Sequence, residues 1–279
     1  MNILVTGIAG DIGSSICKIL NGQNFINNII GSDIHNEHLH TSYCDKFVLM
    51  PRVNEKNYIR SLKNIIKNYK IKLIIPSFEE EQKFLSKAFP DRNINGSKIV
   101  LADENSLSIG FDKLKTSNFL RDNNFAYPWT IPLSEDNPKT YPCILKSRFS
   151  SGSKDIKMIY DDKNIESYKK IYNYFIWQEY IDAPNEEYTC GVYRSKKGEV
   201  RIIILKRRLS LGITMYAEII ENKEIYNLCE NIAHNLNLFG SINIQLKLKG
   251  DIPIIFEINP RFSSTLIFRH LLGFEDLIW

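Results

Sequence analysis

Ile254-Ile255-Phe256-Glu257-Ile258-Asn259-Pro260-Arg261 alternates apolar and polar residues, the pattern of a half-buried strand. Glu257, Asn259 and Arg261 are spaced two apart and fall on one face. Pro260 cannot donate to a sheet ladder, so the strand is expected to end there. A carboxylate next to an amide oxygen suits a hard cation such as Mg²⁺. An arginine one step further suits an anion, because its fork matches phosphate or carboxylate. Taken alone, the stretch reads better as the solvated face of an edge strand.

The residues before it shift the balance. Ser241-Ile242-Asn243-Ile244-Gln245-Leu246-Lys247-Leu248 alternates too, with Asn243, Gln245 and Lys247 on one face. Lys249-Gly250-Asp251 is a turn signal, so the two strands are expected to form a hairpin. A loop of Gly250-Asp251-Ile252 sets Gln245 opposite Glu257 and Asn243 opposite Asn259. A two-residue loop shifts the register by one and sends the polar sets to opposite faces. The longer loop is therefore expected, with Gln245, Glu257 and Asn259 converging on one magnesium-sized site.

Asn243-Ile244-Gln245 followed by Phe256-Glu257-Ile258-Asn259-Pro260-Arg261-Phe262-Ser263 resembles the metal-binding end of ATP-grasp enzymes, in their carbamoyl-phosphate-synthetase-like branch. The resemblance implies that Gln245, Glu257 and Asn259 hold Mg²⁺ (or Mn²⁺) against the phosphates of ATP. It implies that Arg261 contacts phosphate or acyl phosphate.

Upstream residues fit the same order. Tyr141-Pro142-Cys143-Ile144-Leu145-Lys146 reads as a strand ending on a lysine. The small-residue loop Ser147-Arg148-Phe149-Ser150-Ser151-Gly152-Ser153-Lys154 follows, of a kind that lets backbone N–H groups approach phosphate. It lacks the G-K-[ST] ending of a Walker loop and reads otherwise as an exposed hairpin tip. It resembles the ATP-grasp flap, serine-rich here, with Ser151, Gly152 and Ser153 as its phosphate-side residues. The resemblance puts Lys146 on the α-phosphate and adenine, and Lys113 near the phosphates. In Phe175-Ile176-Trp177-Gln178-Glu179-Tyr180-Ile181, it makes Glu179, Tyr180 and Ile181 the adenine hinge. In Asn185-Glu186-Glu187-Tyr188-Thr189, it gives Glu187 the ribose hydroxyls. Strands are expected over Glu199–Leu205 and Tyr216–Ile220, joined by a loop from Arg208 to Thr214. That loop borders the acceptor in the family, so Arg208 is a candidate for a substrate carboxylate or phosphate.

The N-terminus opens as strand, glycine turn and helix: Asn2-Ile3-Leu4-Val5-Thr6, then Gly7-Ile8-Ala9-Gly10-Asp11-Ile12-Gly13, then Ser14 to Leu20. A second strand ends at Asp33, where a dinucleotide enzyme places its ribose-binding acid. NAD(P) binding is thus an alternative, although the spacing is G-x-x-G-x-x-G. A tight turn that needs glycine only for packing is another. Tyr58–Tyr69 is an amphipathic helix, Lys72–Pro76 a buried strand, and Phe78-Glu79-Glu80-Glu81 the start of a helix whose acids suit its N-terminus. Strand and helix alternate up to about residue 110, which predicts a parallel doubly wound sheet. His35, His38 and His40 sit in a loop with no cysteine partner and read as surface.

At 279 residues the chain is long enough for about two domains, and 43% hydrophobic with 24% charged is ordinary globular composition. A net charge of +4 without a basic cluster argues against nucleic acid. Five scattered cysteines with no C-x-x-C pair fit a reducing cytoplasm. No apolar run is long enough to span a bilayer, and no signal peptide is read.

The expectation is an α/β protein: a Rossmann-like domain over 1–110, then an ATP-grasp fold of two α+β subdomains over 111–279. The flap subdomain would cover about 112–180 and the metal and substrate subdomain about 181–279. The resemblance implies an ATP-dependent ligase that activates a small carboxylate, such as an amino acid, as an acyl phosphate for attack by an amine or thiol. Its partners would be small molecules, with no nucleic acid or membrane. A homodimer and a nucleotide-binding protein without turnover stay open.

Overall fold

The computed structural model describes residues 1–36, 43–149, 156–210 and 213–279. The chain forms two compact units, Met1–Glu104 with Arg261–Trp279, and Asn105–Pro260. The flap residues Ser151, Gly152 and Ser153, and also His38 and His40, lie outside the described residues.

The first unit runs β1 (Asn2–Thr6), α1 (Asp11–Leu20), β2 (Asn28–Asp33), β3 (Lys46–Leu49), α2 (Tyr58–Tyr69), β4 (Ile71–Pro76), α3 (Glu79–Ala88), β5 (Asn93–Ile94) and β6 (Ser97–Ile99). Its sheet has the order β3-β2-β1-β4-β6-β5. All neighbours are parallel except β5, which turns back antiparallel on β6. The expected doubly wound sheet is present, and strand order reverses between β1 and β4. Alternate residues of β1 serve two cores. Leu4 packs with Leu62, Ile65 and Ile66 of α2, while Ile3 and Val5 pack with Ile16 and Ile19 of α1. Fully burying each such side chain contributes roughly 1.5–3 kcal/mol.

The glycine turn is explained by packing. Gly7 takes φ +66°, and its carbonyl accepts the Gly10 N–H at 3.1 Å. A Cβ on Gly13 would lie 2.3 Å from that same carbonyl oxygen. Asp33 accepts the Ala9 N–H at 2.9 Å and the Ile34 N–H at 2.7 Å, so its two oxygens brace the turn. The acids opening α3 divide their work. Glu79 pairs with Lys83 at 2.5 Å. Glu81, which the sequence reading left as a helix-terminus charge, is buried and accepts the hydroxyls of Thr6 and Tyr58. Burial pushes its carboxyl up to about 7, against the pull of those two hydrogen bonds.

The second unit continues with α4 (Glu104–Gly110), α5 (Lys113–Asp122), β7 (Thr130–Pro132), β8 (Cys143–Ser147), β9 (Lys157–Ile159), α6 (Ile165–Ile171), β10 (Phe175–Glu179), β11 (Glu187–Arg194), β12 (Val200–Ser210), β13 (Ile213–Ile219), α7 (Lys223–Asn235), β14 (Gly240–Lys249) and β15 (Ile252–Asn259). It holds two sheets, β7-β10-β8-β9 and β13-β12-β11-β14-β15. In the first, Cys143, Leu145 and Trp177 form a core with Ile165 of α6. Ile144, Lys146 and Gln178 point the other way. In the second, α7 packs on β11 and β12, burying Ile225, Cys229 and Ile232.

Two expectations about this second sheet are corrected. Of the segment expected as a loop, Arg208–Ser210 continues β12 and Ile213–Thr214 opens β13. Alternation in Leu205, Arg207 and Leu209 continues the strand past Leu205, where it was expected to end. The hairpin loop also differs. Lys249 pairs with Ile252, so only Gly250 and Asp251 turn the chain, with Gly250 at φ +63° in the first central position. That is the placement of glycine in a type II′ turn. The register shift that such a loop imposes is undone by a bulge. Gln245 pairs with Glu257 but Leu246 with Ile255, leaving Phe256 as the extra residue. Gln245 faces Glu257 and Asn243 faces Asn259, as expected, for a different reason.

After β15 the chain returns to the first unit, where α8 (Leu266–Leu271) packs on α1. Among the described residues no helix is long and apolar enough to cross a membrane.

Gly13→Ala is expected to lower the unfolding free energy by about 1–3 kcal/mol, the usual cost of overpacking. Gly10→Ala, whose Cβ would approach nothing closer than 3.5 Å, is the control in the same thermal melts. Equal melting temperatures for the two variants would contradict the packing role. Glu81 holds its proton more tightly folded than unfolded, so its contribution to stability is full below pH 4.5 and is lost as pH rises to about 7. Glu81→Gln should flatten that part of the stability-against-pH curve.

Candidate functional site

Period-two alternation, with the bulge restoring register, places Glu187 and Thr189 of β11, Arg207 of β12, Asn243, Gln245 and Lys247 of β14, and Glu257 and Asn259 of β15 on one face. Lys113, Lys146, Gln178, Tyr180 and Ile181 line the opposite side of a cleft of about 200 Å³. The whole cleft lies within the second unit.

Its charges are arranged in pairs. Lys113 Nζ is 3.6 Å from Glu257 Oε1. Lys146 is buried between these groups. Desolvation pushes its ammonium down to about 8, Glu257 pulls it up, and Lys113 pushes it further down. Arg207 donates from Nε and Nη2 to one oxygen of Glu187, at 3.1 and 2.7 Å. Lys113 is held in place by its neighbours. Asp112 caps α5 by accepting the Leu114 and Lys115 N–H groups, and it also takes a two-point bond from Arg148, both contacts at 2.7 Å. Arg148 follows the end of β8, so one carboxylate ties the start of the Lys113 helix to the strand that carries Lys146.

The amides are ordered as well. Asn243 donates to Thr189 Oγ1 at 2.8 Å and to the Cys190 carbonyl at 3.1 Å. Its oxygen accepts the Gln245 amide at 3.5 Å, which leaves Gln245 Oε1 as the atom turned to the cleft. Pro260 closes β15, and its ring fits against Gly110, where a Cβ would lie 2.6 Å from Pro260 Cδ. Gln245, Glu257 and Asn259 thus offer one carboxylate and two amide oxygens, hard donors of the type magnesium takes. Among the described residues no group of three His, Cys, Asp or Glu side chains forms a metal cluster. A cation held here would complete its shell from a ligand's oxygens, as magnesium does with phosphates.

Residues 111–265 match the description "ATP-grasp domain". The chain belongs to the ATP-grasp family. Residues 15–100 match a second description, "PylC-like, N-terminal domain". No curated protein matches the chain by sequence. Among solved structures it is similar to N5-carboxyaminoimidazole synthetase from Staphylococcus aureus, with TM-score 0.75 and 14% identity over 96% of this chain and 72% of that one. The corresponding ribonucleotide synthetase from Thermotoga maritima gives 0.68 and 18% over 96% and 71%. A biotin carboxylase from Campylobacter jejuni gives 0.75 and 15% over 99% and 69%. At these identities the likeness is one of fold, and the fold is the ATP-grasp fold the sequence led us to expect.

The ATP-grasp cleft brings together Lys113, Lys146, Glu179, Tyr180, Ile181, Glu187, Gln245 and Glu257, with Asn259 on the same sheet face. Arg208 is elsewhere. It is exposed, on the opposite face of β12, with its guanidinium 5.7 Å from the Tyr216 ring centre. Its neighbour Arg207 is the arginine of the cleft, a difference of one residue that strand parity decides. Arg261 belongs to the first unit, with Nε 4.0 Å from Glu79 and Nη1 donating to the Phe262 carbonyl at 2.9 Å. The sequence reading also missed the Asp112–Arg148 clasp. The clasp joins residues 36 apart, and such a pairing leaves no local signal in the sequence.

The depressed ammonium makes a direct prediction. In ligand-free protein, Lys146 should titrate near pH 8, followed through lysine side-chain carbon shifts with Lys146→Met for assignment. Below that pH the fold carries a buried charge, so the stability of the wild type should rise from about pH 8 towards 10.5. A midpoint near 10.5 would show that the cleft does not desolvate this lysine.

Proposed function

We propose that the chain is an ATP-dependent ligase that activates a small carboxylate, such as an amino acid, as an acyl phosphate and passes it to an amine or thiol. The observation that carries this reading is the donor set Gln245, Glu257 and Asn259 facing Lys146 and Lys113 across one cleft. With one charged donor beside two neutral amides it holds a cation weakly by itself, and its lysines do not suit an apolar ligand. A metal nucleotide satisfies both. The named relatives support it: one N5-carboxyaminoimidazole synthetase structure is complexed with ADP, and the biotin carboxylase is a β,γ-ATP complex.

In this reading Gln245, Glu257 and Asn259 hold Mg²⁺, or Mn²⁺, which when bound neutralises and aligns the phosphates. Lys146 and Lys113 meet the phosphate oxygens, and Glu187 accepts from the ribose. The backbone over Glu179–Ile181 receives adenine, and Ser151, Gly152 and Ser153 cover the phosphates. A substrate carboxylate oxygen attacks the γ-phosphorus as the bond to ADP breaks. The incoming amine or thiol then attacks the acyl carbon, inorganic phosphate leaves with the bonding pair, and the nucleophile's proton is lost. Lysine offsets charge that grows on the transferring group, and positioning supplies most of the rest.

By function, residues 1–110 form the Rossmann-like part and 111–279 the ATP-grasp part, divided near residue 180. Free cysteines throughout suit a reducing cytoplasm. The bracing of the glycine turn by Asp33 favours ligase chemistry over NAD(P) binding.

Glu257→Gln keeps the shape of the side chain but removes the only carboxylate of the donor set. It should reduce ADP release from MgATP, in a screen of amino acids and other small acids, by at least about 100-fold, with the circular dichroism spectrum unchanged. Full turnover in that variant would sink the assignment.

A further inference from the structure

Every cation of the cleft but one has a carboxylate facing it. Lys113 and Lys146 share Glu257, and Arg207 takes Glu187. Lys247 is the exception: among the described residues no carboxylate lies within ion-pair distance of it. Cross-strand pairing puts it directly opposite Glu187, the natural partner, but that carboxylate is already engaged by Arg207. Lys247 instead turns to the hinge. Its Nζ lies 3.4 Å from the Ile181 carbonyl and 5.6 Å from the centre of the Tyr180 ring. The Ile181 carbonyl also accepts the Ala183 N–H at 3.0 Å, so Lys247 adds only a second, long bond there. An ammonium has three donors, which leaves two for a ligand.

Its place along the strand decides what that ligand atom is. Lys247 is two residues from Gln245 on β14, about 7 Å further from the metal-binding amides at a strand rise of about 3.3 Å. The hinge and the Tyr180 ring lie beside its group, and phosphates gathered at Gln245, Glu257 and Lys146 lie further along the cleft. The position is that of the nucleobase edge.

We propose that Lys247 reads the nucleobase and, being a donor without acceptor capacity, selects for acceptor atoms on that edge. The proposal rests on the nucleotide reading of this cleft. Guanine presents the O6 and N7 acceptors that lysine takes as a pair, whereas adenine offers N7 beside an amino donor. The cleft therefore admits guanine as well as adenine nucleotides, and Lys247 is its specificity-determining residue.

The test is binding of MgATP, MgGTP and magnesium tripolyphosphate to the full chain and to Lys247→Met, which keeps the apolar stem of the side chain. The wild type should bind GTP within about tenfold of ATP. The variant should lose at least about tenfold in GTP affinity, lose less for ATP, and bind tripolyphosphate as before. Equal loss for all three ligands would make Lys247 a phosphate contact and overturn the proposal. So would a variant with unchanged GTP affinity, or a wild type that binds ATP and rejects GTP. A wild type that binds tripolyphosphate but neither nucleotide would overturn the nucleotide reading itself. An unchanged melting temperature in Lys247→Met separates base reading from a structural role.

Discussion

One extra residue, Phe256, holds the chemistry of this molecule in register. A two-residue turn between β14 and β15 is the tightest closure available, and left alone it would set the polar residues of the two strands on opposite faces. The bulge cancels that error between Gln245 and the turn. Only beyond it, towards Asn243 and Asn259, do amides and carboxylate share a face. Bulges also increase local twist, and this one puts an aromatic side chain into the cleft wall. The donor set depends on a backbone irregularity as much as on its own side chains.

Electrostatics then sets what the cleft can accept. A buried lysine beside a second lysine is costly unless an anion is near, and one carboxylate, Glu257, serves both. Whatever anion enters relieves the same strain, so protonation of Lys146 and anion binding favour each other. The geometry that makes this work is kept by groups that never need to touch a ligand. Asp112 and Arg148 hold helix to strand with a two-point charged bond, and Gly110 makes room for Pro260 at the end of β15. Such bonds are shorter and stronger than neutral ones because both partners are ionised.

Much of this was legible in the sequence because it is written in short-range pattern. Alternation in Asn243–Lys247 and Ile254–Asn259 gave the strands, their polar face and the pairing of Gln245 with Glu257. Strand and helix alternation gave the doubly wound sheet. The misses share a cause, which is that parity and pairing over long separations have no local signature. Arg207 and Arg208 are adjacent in sequence but differ by a whole face of the sheet once β12 continues through Ser210. The bulge is invisible because the loop and the register each looked consistent with a simpler hairpin. Glu81 looked like a helix-terminus charge until Thr6 and Tyr58, from two other elements, converged on it. The glycine turn showed the opposite lesson. A fingerprint that suggested a cofactor has a sufficient cause in the contact of Gly13 with the Gly7 carbonyl.

The first unit is discontinuous in the chain, and this bears on how the protein is made. Its core is finished by Phe262, Leu266, Ile267, Leu277 and Ile278, which pack with Ile16 and Ile19 from the other end of the sequence. The second unit is contiguous, from Asn105 to Pro260. During synthesis, therefore, the part of the chain that emerges first can complete one of its two cores but waits for residues 262–278 to complete the other. Until residues 262–278 have been made, the α1 side of the N-terminal sheet lacks part of its apolar packing, which leaves that surface more open to association.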